Sequence, residues 1–130
     1  MPARVVVVHD DPDFVDELAT AVRSDGHDVA TFADPLAAWD ALEAAQRIEV
    51  LVTRVQFPPG KPHGFALARM ARSKRPTIRV LFVALPEFAD DAAELGEFMP
   101  ITSGLQDVVN TVRRMLDQGE ENAYRPSRAD

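Results

Sequence analysis

The sequence predicts an α/β fold, a doubly wound parallel sheet of five strands with helices on both faces, and three observations carry that expectation. Val5 to Val8 form an unbroken β-branched run with no polar side, which suits a strand buried on both faces at the centre of a parallel sheet. Strand-like and helix-like stretches alternate along the whole chain with short connections, the βα repeat that builds such a sheet. The first run ends in His9, Asp10 and Asp11, so polar groups collect just beyond a strand's carboxyl end, where open α/β sheets place their sites.

The elements follow in order. Pro12 to Ser24 is a helix whose inner stripe is Phe14, Leu18, Ala21 and Val22, spaced for one face. Asp13, Asp16 and Glu17 favour its positive end, and Gly26 suits the left-handed position past its last turn. His27 to Ala33 alternates as a more exposed second strand, and Asp34-Pro35 caps a second helix. Leu36, Trp39 and Leu42 form its inner face, with Trp39 read as packing rather than as a ligand platform. Glu49 to Val55 is the third strand, apolar except for Arg54, and Gln56 to Gly64 is a Pro- and Gly-rich loop.

Phe65 to Arg75 is a helix with Phe65, Ala68 and Ala71 inward. Its Arg69, Arg72, Lys74 and Arg75 lie outward, as a solvated face or as an interaction patch. Ile78 to Ala84 is the fourth strand, Glu87 to Leu95 a short acidic helix, and Glu97 to Met99 a brief fifth strand. Ser103 caps the last helix, whose Leu105, Val108, Val109, Val112, Met115 and Leu116 give the cleanest helical stripe in the chain. From Gly119 the pattern vanishes, and residues 119–130 are expected to form a mobile tail after a single domain over 1–118.

Composition narrows the function. With 46% hydrophobic and 27% charged residues, the chain reads as an ordinary globular domain. It has no cysteine, hence no disulfide, thiolate metal site or thiol nucleophile. No apolar run approaches the roughly 18 residues of a membrane span, and a cytoplasmic address is expected. A net charge of −7 argues against nucleic acid and for a protein partner.

The first turn excludes further chemistries. A dinucleotide site needs glycines there so that backbone can approach a pyrophosphate, and the carboxylates of His9-Asp10-Asp11-Pro12-Asp13 repel phosphate. Flavin, Walker A and nucleophile-elbow patterns are absent too. A hydrolase using Asp10 as nucleophile normally shows a second Asp two positions on, where this chain has Pro12. No enzyme is expected.

VVVVHDDPDF, EVLVTRVQFPPG followed by HG, IRVLFVA, and Pro100 after the fifth strand together resemble a response-regulator receiver domain over roughly residues 4 to 117. The resemblance implies a flavodoxin-like sheet of order 2-1-3-4-5, here with a long loop after the third strand and a shortened fourth helix. In that family two acids after the first strand and an Asp ending the third hold Mg²⁺, and the latter Asp accepts a phosphoryl group from a histidine kinase. A Thr or Ser ending the fourth strand and a Lys after the fifth read the phosphate. Carried over residue by residue, the acidic pair falls on His9 and Asp10, with Asp11 a further acid. The acceptor position is Arg54, the hydroxyl position Val83 and the Lys position Met99.

Those departures belong together. Arginine neither accepts a phosphoryl group nor loses its charge, and without the acceptor a hydroxyl and an ammonium have no phosphate to hold. The Arg54 guanidinium is expected in the space of the metal, paired with Asp10 and with Asp11 as a further partner; the alternative is an Arg54 directed into solvent. His9 is expected to be a locally hydrogen-bonded strand-end residue rather than a metal ligand or base, and His63 a surface residue.

The chain is therefore expected to be a stand-alone, degenerate receiver domain without cofactor, acting in a two-component or phosphorelay pathway through phosphorylation-independent protein contacts. Its partner would be a histidine kinase or another signalling protein. The fourth helix, fifth strand and last helix are the expected surface for partners or a homodimer, and the basic third helix is a second one. Two rivals stand beside this reading. One is a receiver phosphorylated at Asp10 or Asp11, and the other a small-molecule or metal sensor built on His9, Asp10, Asp11 and Arg54, with Asp10 and Asp11 the metal ligands.

Overall fold

The computed structural model describes residues 4–44, 47–59 and 63–124, the side chains of 119–124 excepted. Five parallel strands, β1 (Arg4–Val8), β2 (Asp28–Phe32), β3 (Val50–Thr53), β4 (Arg79–Ala84) and β5 (Glu97–Pro100), lie in the order β2-β1-β3-β4-β5. Helices α1 (Pro12–Ser24), α2 (Pro35–Glu43), α3 (Gly64–Lys74), α4 (Ala89–Ala92) and α5 (Leu105–Tyr124) connect and cover them. The fold class, strand order and short fourth helix are those expected from the sequence.

Alternation along the central strands divides the core in two. Val5, Val7, Val50, Val52, Leu81 and Val83 face α1 and α5, whereas Val6, Val8, Leu51, Val80 and Phe82 face α2 and α3. Both faces of β1 are closed to water, each of its four valines being at most 1% exposed. Burying a valine contributes roughly 1.5–3 kcal/mol, which is why a run without a polar side belongs at the sheet centre.

Several sequence expectations shift by a turn position. On α1 the buried residues are Val15, Leu18, Ala19 and Val22, with Phe14 and Ala21 only partly buried. The inner face of α2 is Pro35, Ala38 and Leu42; Trp39 packs partly against the core, and Leu36, expected inward, is 48% exposed. On α3, Leu67 joins Ala68 and Ala71 inside. Gly26 takes φ +94°, and its N–H donates to the Arg23 carbonyl while that of His27 donates to Val22, closing the helix end as expected.

The chain after β4 departs further. A 3₁₀ turn, Pro86–Phe88, precedes the single turn of α4, so the expected helix over Glu87 to Leu95 is two short pieces. Gly104, not Ser103, occupies the position before α5, its carbonyl accepting from the Val108 N–H at 3.2 Å. The α5 backbone continues to Tyr124, beyond the expected end at residue 118, and 125–130 lie outside the described residues. The expected outward basic face of α3 is partly structural. Arg75 donates to the Leu42 and Ala44 carbonyls at 2.6 and 2.5 Å, and Arg72 donates to the Leu95 carbonyl.

Candidate functional site

The strand register brings the nominated residues to one edge. Val8 is opposite Thr53, Thr53 opposite Phe82, and Phe82 opposite Phe98. The next row contains His9, Arg54, Val83 and Met99, with Val83 directly opposite Met99. The ladder runs on into that row, since the His9 N–H donates to Phe32 and the Arg54 N–H to Val8. Period-2 alternation puts all four on the α1/α5 side of the sheet, where Val83 is buried and Met99 packs against that core.

Arg54 and Asp10 form the charged centre. Arg54 Nη1 donates to Asp10 Oδ1 at 2.6 Å, with the arginine side chain 24% and the aspartate side chain 50% exposed. Partial burial pushes the Asp10 carboxyl up, but the hydrogen bond and charge of Arg54 outweigh it, so it titrates below its ordinary value. Asp11 has a different task. Its carboxylate accepts from the Asp13 and Phe14 N–H groups at 3.1 and 3.4 Å, capping α1, whereas the Arg54 ion pair is with Asp10.

His9 lies beneath this pair, only 4% exposed, its ring 4.6 Å from that of Phe14. Nδ1 accepts from the Asp11 N–H at 3.2 Å, which assigns the imidazole proton to Nε2. Burial first, and the Arg54 charge second, lower its pKa to about 4. The 3.7 Å approach of Nδ1 to Asp10 Oδ1 is therefore no ion pair at neutral pH.

Residues outside the nominated row fix the backbone at Arg54 and the start of α3. Gly64 presses the start of α3 onto the exit of β3 so closely that a Cβ there would lie 2.0 Å from the Arg54 carbonyl oxygen. Its N–H donates to the Val55 carbonyl at 2.7 Å. Buried Thr53 donates its hydroxyl to the Arg54 carbonyl at 2.8 Å. His63, expected as plain surface, caps α3 by accepting from the Phe65 N–H at 3.3 Å. Partial burial and Arg69 hold its imidazole below the ordinary value. The helix-start glycine was visible in the sequence, but its backbone contact comes only from the fold.

No protein-family model and no curated protein matches the sequence. Solved structures do. A response-regulator receiver domain from Methanospirillum hungatei superposes with a TM-score of 0.79 at 17% identity, covering 94% of this chain and 99% of that one. The non-phosphorylated HemR receiver domain from Leptospira biflexa gives 0.74 at 24%, covering 87% and 93%. Response regulator DrrB from Thermotoga maritima gives 0.76 at 22%, covering 91% of this chain and 54% of that one. Among the described residues no helix is long and apolar enough to cross a membrane. The chain has the fold of a response-regulator receiver domain.

Proposed function

We propose that this chain is a receiver-type signalling module of a two-component or phosphorelay pathway that works without phosphorylation, by binding another protein. One observation carries the reading: Arg54, which the family resemblance puts at the acceptor position, is held 2.6 Å from Asp10, and the paired residues Val83 and Met99 on the neighbouring strands, which the resemblance puts at the readout positions, are apolar. A guanidinium offers no oxygen to a phosphoryl group and keeps its charge.

The donor set does not fit Mg²⁺. That ion demands oxygen ligands in near-octahedral geometry. Here Asp10 is bound to a cation, one Asp11 oxygen serves two backbone N–H groups, and the third neighbour is a buried imidazole. The pair instead supplies from within the chain the positive charge that a metal would bring, so the carboxylate is neutralised in the resting protein. The site then has a fixed state, and regulation passes to where and when a partner is present.

The test is intact mass after incubation with Mg²⁺ and a small-molecule phosphodonor. The triple variant Arg54→Asp, Val83→Thr, Met99→Lys runs alongside as the restored-site control. The native chain is expected to keep its mass. A gain of one phosphoryl group would overturn the reading and turn attention to Asp10 and Asp11 as acceptors.

A further inference from the structure

The sheet has two open edges, β2 and β5, and they are protected differently. On β5 the Ile101 N–H donates to the Ala84 carbonyl of β4, so the outward residues of that strand are Phe98 and Pro100, and proline has no N–H to offer a neighbour. Its Glu97 is tied to Arg114 of α5. Proline and charge commonly close an exposed edge. β2 has no proline, its residues Asp28-Val29-Ala30-Thr31-Phe32 are largely strand-forming by type, and Asp28 at the start is its one charge.

Which backbone groups of β2 are open follows from its register with β1. The strands pair in parallel from Arg4 opposite Asp28 to Val8 opposite Phe32, and the Phe32 carbonyl accepts from the His9 N–H. Asp28, Ala30 and Phe32 therefore turn their N–H and C=O groups toward β1, and alternation leaves those of Val29 and Thr31 pointing away. One of these groups is engaged. Arg23, in the last turn of α1, donates from Nη2 to the Val29 carbonyl at 2.9 Å, so an exposed guanidinium stands where an added strand would lie.

A second β2 running antiparallel fits this edge. A two-fold contact matches a surface to itself, and Val29 and Thr31 offer a copy the same donors and acceptors in reverse order. With Val29 opposite Thr31, the two Asp28 carboxylates are offset by four residues, roughly 13 Å, beyond the Debye length at physiological salt. Setting either residue against its own copy still calls on the Val29 carbonyl. We propose that the β2 edge is a self-pairing site and that Arg23 is the autoinhibitory contact that keeps it closed in the single chain. Two copies join through β2 into one continuous sheet once both guanidinium groups leave the Val29 carbonyls. The edge shares no residue with the Arg54–Asp10 pair, so the proposal is independent of the function given above.

The test is self-association of the wild type and of Arg23→Ala, followed by light scattering and sedimentation across concentration. One hydrogen bond of this kind changes an equilibrium a few-fold, and a pair of copies must break two. Arg23→Ala is therefore expected to associate about tenfold or more tightly than the wild type. Adding Thr31→Pro removes an outward N–H while leaving the ladder to β1 intact, and is expected to return Arg23→Ala to the monomer. Amide exchange on Arg23→Ala alone answers the question even if the proline variant unfolds, because the Thr31 N–H is expected to gain protection as concentration rises. Arg23→Ala no more associated than the wild type, association unchanged by Thr31→Pro in a folded chain, or protection gained elsewhere than β2 overturns the proposal.

Discussion

His9 makes the stability of the protein sensitive to acid. Its pKa is lowered from 6.5 to about 4, chiefly by burial and next by Arg54, so between those values the unfolded chain binds a proton that the native one refuses. Stability is therefore complete above the unfolded value and falls as pH drops through the window. The full interval of about 2.5 pH units corresponds to roughly 3 kcal/mol, of which about 2 kcal/mol is lost between pH 7 and pH 5. For a domain of this size that lowers Tm by roughly 7 °C. Protonation also turns Nδ1 into a donor, and it can then no longer accept the Asp11 N–H held at 3.2 Å.

Thermal and urea unfolding at pH 7 and pH 5 measure the loss, with His9→Asn as the comparison. Asparagine offers an acceptor oxygen near Nδ1 and does not titrate, so the variant should lose much less stability over the same interval. His63 is also lowered and adds a smaller slope of the same sign, common to both proteins. Equal losses in wild type and variant, or an imidazole that NMR finds titrating near 6.5, would refute the buried, neutral His9.

Two further substitutions test how the site is held. Arg54→Ala should cost about 1 kcal/mol at pH 7, the upper end for a half-exposed pair. Because the Asp10 carboxyl is lowered in the folded chain, that deficit should shrink as pH falls through its folded value, and equal denaturant-midpoint losses at neutral and acid pH would sink the ion pair. Gly64→Ala places a methyl 2.0 Å from the Arg54 carbonyl oxygen and 2.7 Å from Val55 Cα. Both obstacles are backbone, so α3 must move; a loss of roughly 1–3 kcal/mol is expected, with the Asp10 titration returning toward its ordinary value.

Most of the fold was legible because its signals are local. The Val5–Val8 run, the Asp34-Pro35 start of α2 and Gly26 after α1 each state their own structure. The misses are tertiary. Leu36 has the right residue type for a core position, but Pro35, Ala38 and Leu42 are the residues that α2 turns inward. Arg72 and Arg75 look like a solvated face until α2 and the segment before β5 present carbonyls to them. Asp11-Pro12 carries the same signal as Asp34-Pro35, yet its place beside Asp10 drew it into the site. The structure treats the two alike, as helix caps.

On the proposed reading, the row His9, Arg54, Val83 and Met99 departs from a phosphate-handling site as a set, and the charges say why. Placing Asp at position 54 alone would set a second carboxylate beside Asp10, with no ammonium at 99 and no hydroxyl at 83. Like charges so close raise one pKa and destabilise the fold at neutral pH. In the other direction, a Lys in place of the partly buried Met99, without an acid at 54, leaves a charge facing the α1/α5 core. Both of these single reversals meet an electrostatic penalty that the remaining positions do not relieve. Arg54 with Asp10, flanked by a buried imidazole and two apolar side chains, is electrostatically self-consistent, as the proposed fixed state requires.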